Sequence, residues 1–199
     1  MPTKRRIIIL ASVSSRRKKI LKSAHINFKV IYPFIKEKIS SKHRISFLVK
    51  YNALEKAKAV AKKLKSGIVL GADTLVLFKK KIIGKIYSFK EAEYLLKKML
   101  GKKVEVYTGL CVIDIDNRRY VLDYDKTTVY VSKISLRKIR KFLKYLGSFD
   151  KAGGFTIEGL GAILFDKING SYFNALGLSL RKLALLLEKL DLDISDFIK

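Results

Sequence analysis

Cysteine is almost absent from this chain: Cys111 is the single one in 199 residues. That excludes an internal disulfide and a zinc site built on cysteine pairs. Cys111 lies in an apolar, strand-like run, where a thiol reads as an inert core residue. The chain holds two histidines, His25 and His43, too few for a histidine-rich metal cluster. Acidic residues are outnumbered, with 17 Asp and Glu against 43 Lys and Arg, for a formal charge of +26. Such a balance attracts polyanions, whether nucleic acid, anionic membrane or phosphorylated small molecules. The lysines are spread along every segment rather than gathered into a tail, so a solvated basic coat is the weightier reading. No apolar run reaches the ~18–20 residues that cross a bilayer, and the first residues lack a signal-peptide core. The expectation is a soluble, cytoplasmic protein without membrane contact. No G-x-G-x-x-G follows the first strand and no G-x-x-x-x-G-K-[ST] occurs, so two common nucleotide-binding signatures are missing.

What is present starts at Ile7-Ile8-Ile9-Leu10, four large apolar residues that read as a buried strand. Ser12, Ser14 and Ser15 then sit where the strand ends and an amphipathic helix begins, with Ile20 and Leu21 facing inward. A helix start presents free backbone N–H groups and favours anions. Arg16 and Arg17 in that first turn oppose the helix dipole, and an anionic ligand would relieve the conflict. A solvated turn with two surface arginines accounts for the residues equally well.

A second strand is expected over Phe28–Tyr32 and a polar loop over Pro33–Arg44. A long helix follows, with Phe47, Leu48, Tyr51, Leu54, Ala57, Ala61 and Leu64 on one face. Ile68-Val69-Leu70 reads as a strand interrupted by Gly71-Ala72-Asp73-Thr74 and resumed at Leu75–Phe78, with a hairpin tip at Lys79–Lys81. Ser88 and Glu91 form a capping box for a helix to Leu100. Strands near Val104–Ile115 and Arg119–Val131 flank a turn at Asp116-Asn117. A helix capped by Ser135 ends at Gly147, a glycine-rich loop spans Ala152–Gly161, and a short strand covers Ala162–Phe165. A leucine-rich helix near Leu178–Leu190 closes the chain. Strands alternate with helices at first and a hairpin occupies the middle, which predicts one α/β domain over 1–199 with a mixed sheet.

Asp73, beside Gly71 at the end of an apolar run, is a general base, a metal ligand or a turn-former. Thr74 can cap a turn or line a pocket. Lys56 on the long helix and Lys85 after Gly84 carry no signal alone among so many lysines. Together, however, an ordered set emerges: Ala11-Ser12-x-Ser14-x-Arg16-Arg17, Glu55-Lys56-Ala57, Gly71-Ala72-Asp73-Thr74, Gly84-Lys85, Thr108-Gly109, Lys151-Ala152-Gly153-Gly154-Phe155 through Glu158-Gly159, and Gly170-Ser171-Tyr172-x-Asn174-x-x-Gly177-Leu178.

This set resembles the Maf family of nucleoside triphosphate pyrophosphatases across nearly the whole chain. The resemblance implies a two-lobed α/β fold with a mixed sheet and flanking helices, similar to inosine triphosphate pyrophosphatases, with the site in the cleft between lobes and a homodimeric assembly. It implies hydrolysis of a nucleoside triphosphate between the α and β phosphates, with magnesium or manganese. By motif, Ser12, Arg16 and Arg17 would hold the triphosphate, Lys56 and Lys85 would add positive charge, and Asp73 would be the base. Asp73 and Glu37 would bind the metal. Lys36 stands beside Glu37 where the family often has a second acid, and Ser15 and Ile86 replace two customary prolines.

For the base, Arg16 and Thr74 match the dTTP/UTP subgroup, whereas Glu158 matches the 7-methyl-GTP subgroup. A glutamine donates and accepts, but an ionised glutamate only accepts, which suits a donor-rich base edge. Two matches against one predict dTTP and UTP as substrates, with CTP or modified pyrimidines in range and 7-methyl-GTP as the alternative. A nucleic-acid-binding protein is the alternative of another class. No basic arm, helix-turn-helix signature or aromatic ribonucleoprotein motif supports it, and no specific nucleic-acid partner is expected.

Overall fold

The computed structural model describes residues 6–84, 86, 88–146 and 157–199. Among these residues seven strands form one mixed sheet: β1 (Ile8–Ala11), β2 (Phe28–Val30), β3 (Ile68–Phe78), β4 (Lys81–Ile83), β5 (Lys103–Asp114), β6 (Arg119–Val131) and β7 (Phe165–Asn169). Their order is β2-β1-β3-β5-β6-β7, with β4 joined to β3. β1 runs parallel to β2 and β3, and the remaining pairs are antiparallel. The predicted hairpin at 104–131 is β5 and β6, paired from Lys103↔Tyr130 to Asp114↔Arg119.

The expected interruption at Gly71–Thr74 does not occur: β3 is continuous from Ile68 to Phe78. β5 pairs with it throughout, from Ile68↔Asp114 to Leu77↔Glu105, so the ladder overrides the local turn signal. On its other edge, β3 meets β1 only as far as Ala11↔Gly71 and β4 only from Val76↔Ile83. Residues 72–75 lie in the gap between those neighbours, in a cleft that interrupts the sheet edge.

Among the described residues, six helices flank the sheet: α1 (Ser15–Ser23), α2 (Ile45–Ala61), α3 (Phe89–Met99), α4 (Leu136–Leu146), α5 (Tyr172–Leu176) and α6 (Leu180–Glu188). On one face, α1 and α6 cover the first half of β3 and β5 in a core that includes Ile20, Leu21, Leu70, Leu110, Leu183 and Leu187. On that same face, α3 and α4 cover the second half through Val76, Val106, Leu96, Ile139 and Leu143. The two-lobed mixed α/β architecture is as the sequence predicts. α2 crosses the opposite face, over Val69 and Cys111 at one end and Leu75 at the other.

The close seat of α2 depends on two glycines. A Cβ at Gly71 would lie 2.1 Å from the Ala53 carbonyl oxygen, and one at Gly109 would lie 2.2 Å from that of Val49. Neither space admits another carbon without moving the helix. The inward stripe of α2 differs from the expected one: it comprises Ile45, Leu48, Val49, Asn52, Ala53, Lys56, Ala57 and Val60, whereas Phe47 and Tyr51 are exposed. The apolar pattern was ambiguous because two polar residues, Asn52 and Lys56, belong to the buried side.

Near the C-terminus, a 3-10 turn occupies Gly159–Leu164, and the strand follows it rather than covering 162–165. Tyr172–Leu176 is a short helix capped by Ser171, whose hydroxyl accepts from the Asn174 N–H. Gly147 and most of the glycine-rich loop lie outside the described residues. No described helix is long and apolar enough to cross a membrane.

Candidate active site

A cavity of about 440 Å³ opens at the gap in the sheet edge. Its polar end is built by Ser12, Arg16, Arg17, Glu37, Lys56, Asp73 and Thr74. Its other end is apolar, reaching Val76, Met99, Val106, Val129, Ile157 and Phe165. Strand alternation sets the polar end's layout: Asp73 points to the α2 face and Thr74 to the face carrying α1.

On the α2 side, Lys56 Nζ donates to Asp73 Oδ1 at 2.7 Å and to the Ala72 carbonyl at 3.3 Å. It also pairs with Glu37 Oε1 at 2.5 Å. Asn52 Nδ2 donates to Asp73 Oδ2 at 2.9 Å and to the Lys38 carbonyl at 3.0 Å, while Asn52 Oδ1 accepts from the Lys38 N–H at 2.8 Å. Asp73 is thus buried, 3% exposed, with one donor on each oxygen. A carboxylate oxygen has two lone pairs, so each can accept once more. Asn52 anchors the loop that bears Glu37 to the same carboxylate. Sequence reasoning missed this residue; the available signal was an asparagine one turn before Lys56 on the buried stripe.

On the other side, Arg17 is 7% exposed. Its Nη1 donates to Ser12 Oγ at 3.0 Å, Nη2 to Thr74 Oγ1 at 2.9 Å and Nε to the Gly177 carbonyl at 2.8 Å. Burial pushes its pKa down, opposed by attraction to Asp73 and Glu37. The expected conflict between Arg17 and the helix dipole is resolved differently from either sequence reading. The side chain leaves the first turn and enters the cleft wall, while Ser14 Oγ caps the helix by accepting from the Arg17 N–H at 3.4 Å. Arg17 is held by neutral oxygens, and no carboxylate among the described residues forms a salt bridge with it.

Thr74 Oγ1 lies 3.0 Å from Thr108 Oγ1, and Thr108 donates to the Asn174 carbonyl at 3.2 Å. Asn174 Nδ2 donates to Val106 O and to Thr127 Oγ1. Asn174 Oδ1 is buried without a hydrogen-bond partner among the described residues. Thr108, Thr127 and Asn174 are each fully buried, so a polar seam crosses the sheet between the two apolar cores.

The structure thus gathers Ser12, Arg16, Arg17, Glu37, Lys56, Asp73 and Thr74 around one cavity. Glu158 stands half-buried beside Ile157, at the head of the 3-10 turn that begins at Gly159. Lys85 lies outside the described residues. No group of three or more His, Cys, Asp or Glu that could hold a metal occurs among the described residues. The donor chemistry nevertheless suits a hard divalent ion. Asp73 and Glu37 both touch the Lys56 ammonium, so one cation can meet both carboxylates, and phosphate oxygens commonly complete such a shell.

A family model described as Maf-like protein matches residues 7–190. The chain is 38% identical over 177 residues to a dTTP/UTP pyrophosphatase of Thermoanaerobacter sp. (strain X514), covering 88% of this chain and 92% of that one. It is 37% identical over 192 residues to a dTTP/UTP pyrophosphatase of Methanococcoides burtonii, covering 96% and 98%. It is 39% identical over 191 residues to one of Methanosarcina barkeri, covering 95% and 96%. Among solved structures, a HAM1 protein from Coxiella burnetii superposes with a TM-score of 0.48 at 14% identity over 91% of each chain.

Proposed function

This chain belongs to the Maf family, and from that premise we propose that it hydrolyses dTTP and UTP to the nucleoside monophosphate and pyrophosphate. The observation that carries the reading is the two-ended cavity. One end combines cations with a buried carboxylate, and the other is lined by apolar side chains on which a base can rest. Phosphoryl transfer asks mainly for charge neutralisation and an oriented nucleophile.

In this reading the triphosphate lies along Ser12, Arg16 and Arg17, with the base toward Val106 and Ile157. Asp73 accepts a proton from the water that attacks the α-phosphorus, through a lone pair not used by Lys56 or Asn52. Lys56 turns from Glu37 toward the pyrophosphate leaving group and offsets its growing charge. Asn52 keeps the carboxylate in place as the proton arrives. Asp73 and Glu37 would hold magnesium or manganese, which when bound neutralises phosphate charge and makes water more acidic. Lys85 adds charge from beyond Gly84. A homodimer in the cytoplasm, one domain per chain, completes the proposal.

Pyrophosphate release across a panel of dTTP, UTP, CTP and 7-methyl-GTP tests it. The expected order places dTTP and UTP first, with Glu158→Gln sharpening that preference. Far faster turnover of 7-methyl-GTP would reverse the base assignment. Hydrolysis should persist at ~150 mM salt, where non-specific binding of this basic chain to DNA is weakened.

A further inference from the structure

On the face of the sheet that carries α1 and α3, β5 presents Val106, Thr108 and Leu110 in succession, and β3 presents Val76, Thr74 and Ala72 opposite them. Four of these six build apolar cores. Thr108 is fully buried between them, where valine would keep the shape and avoid placing a hydroxyl out of water. A buried hydroxyl there calls for a reason, and the hydrogen bonds around it supply one.

Each threonine has one proton to give. If Thr108 gives its proton to the Asn174 carbonyl, 3.2 Å away, the Thr74 proton goes to Thr108 Oγ1, 3.0 Å away. The lone pairs of Thr74 then face Arg17 Nη2, and the Gly177 carbonyl is left to Arg17 Nε. The other arrangement sends the Thr74 proton to Gly177 O over 3.4 Å. It puts a second donor beside Nε on the Gly177 carbonyl, and it either turns the Thr108 proton from Asn174 onto Thr74 or leaves two hydroxyl oxygens 3.0 Å apart with no proton between them. The first arrangement keeps the shorter contacts.

We propose that Thr108 is a positioning residue for Arg17: its hydroxyl takes the Thr74 proton, which turns the Thr74 lone pairs to Nη2, keeps Thr74 from adding a second donor beside Nε on the Gly177 carbonyl, and fixes the guanidinium plane in the cleft wall. Thr108 is fully buried and reaches the Arg17 guanidinium through Thr74. The catalytic consequence rests on the proposed function, whereas the effect on Arg17 does not.

The test compares Thr108→Val, which keeps the shape and loses the hydroxyl, with Thr108→Ser, which keeps the hydroxyl. Hydrogen exchange of the Arg17 Nε–H, followed in nitrogen-15 spectra, should quicken about five- to tenfold in Thr108→Val and return near the wild-type rate in Thr108→Ser. In pyrophosphate release from dTTP, kcat/KM should fall about five- to tenfold in Thr108→Val and recover in Thr108→Ser. In an Arg17→Lys background, which has no planar fork to orient, Thr108→Val should cost less than about twofold. Wild-type Nε–H exchange in Thr108→Val overturns the proposal, as does an equal loss of turnover in both backgrounds. If the wild type releases no pyrophosphate while Nε–H exchange responds as stated, the positioning role stands and the proposed function falls.

Discussion

Asp73 and Thr74 are neighbours in the chain, yet their side chains enter opposite faces of β3, and the two faces solve the problem of buried polarity differently. On the α2 face the groups are ionic: one carboxylate, one ammonium and a second carboxylate, Glu37, at the rim. On the other face the partners are neutral hydroxyls and carbonyls arranged around one guanidinium. The ionic side shares one ammonium between two carboxylates. The other side is a directional chain of single protons around that guanidinium, which sets its geometry. In the proposed function the cleft between them has a reactive wall and a holding wall, separated by one peptide unit.

The strongest way to break this contrast is Asp73→Asn. It keeps the shape but removes the carboxylate that the proposed function uses as the base. Turnover should fall by roughly 10²-fold or more, measured as kcat for pyrophosphate release with melting temperature monitored in parallel. Turnover near the wild-type value would remove the reactive role from this wall.

Next in size, Gly109→Ala should push α2 from the sheet, because the added carbon meets the Val49 carbonyl. The expected destabilisation is about 1–3 kcal/mol by denaturant unfolding. Gly84→Ala, whose added carbon meets nothing within 4 Å, serves as the matched control and should leave stability nearly unchanged.

Asn52→Leu sharpens the comparison within the ionic wall. It removes the amide that ties Asp73 to Lys38 while conserving volume, and should lower kcat about three- to tenfold. Unchanged kinetics would mean that Lys56 alone orients the carboxylate.

The smallest effect concerns Cys111, the quiet end of the α2 face. Burial pushes its thiol from an ordinary 9.0 up to about 12. Above pH 9 the unfolded chain releases this proton and the folded chain keeps it, so stability falls as pH rises toward 12. From pH 9 to 10 the loss should approach 1 kcal/mol, within the limit of ~1.4 kcal/mol per unit. Cys111→Ala should lack this part of the slope in unfolding measurements at each pH.

Much of this arrangement was legible in the residues. The first strand, the serine-rich turn and the helix behind it follow from apolar clustering and capping chemistry. The β5–β6 hairpin follows from two long apolar runs around Asp116-Asn117, and Ser88 with Glu91 marks the start of α3. Gly71–Thr74 misled because local turn propensity competes with a ten-residue antiparallel ladder that only the fold supplies. Asn52 was hidden because an asparagine on a helix reads as surface until its burial is seen. Thr108 stood in the quoted motif, but its direction toward Thr74 depends on strand register, which periodicity does not specify.

The unequal pairing of β3 also bears on the order in which the molecule assembles. β5 and β6 are joined by a four-residue turn and zip along their whole length, whereas β1 waits for a partner strand far along the chain and meets it at four positions. Short loops close early and long ones late. The antiparallel half therefore forms the scaffold, and the docking of β1 with its serine turn completes the cleft near the end of folding. In the proposed function a triphosphate would gain its grip only after that step and so act as a latch: it would slow the escape of the native protein and leave the climb toward it untouched.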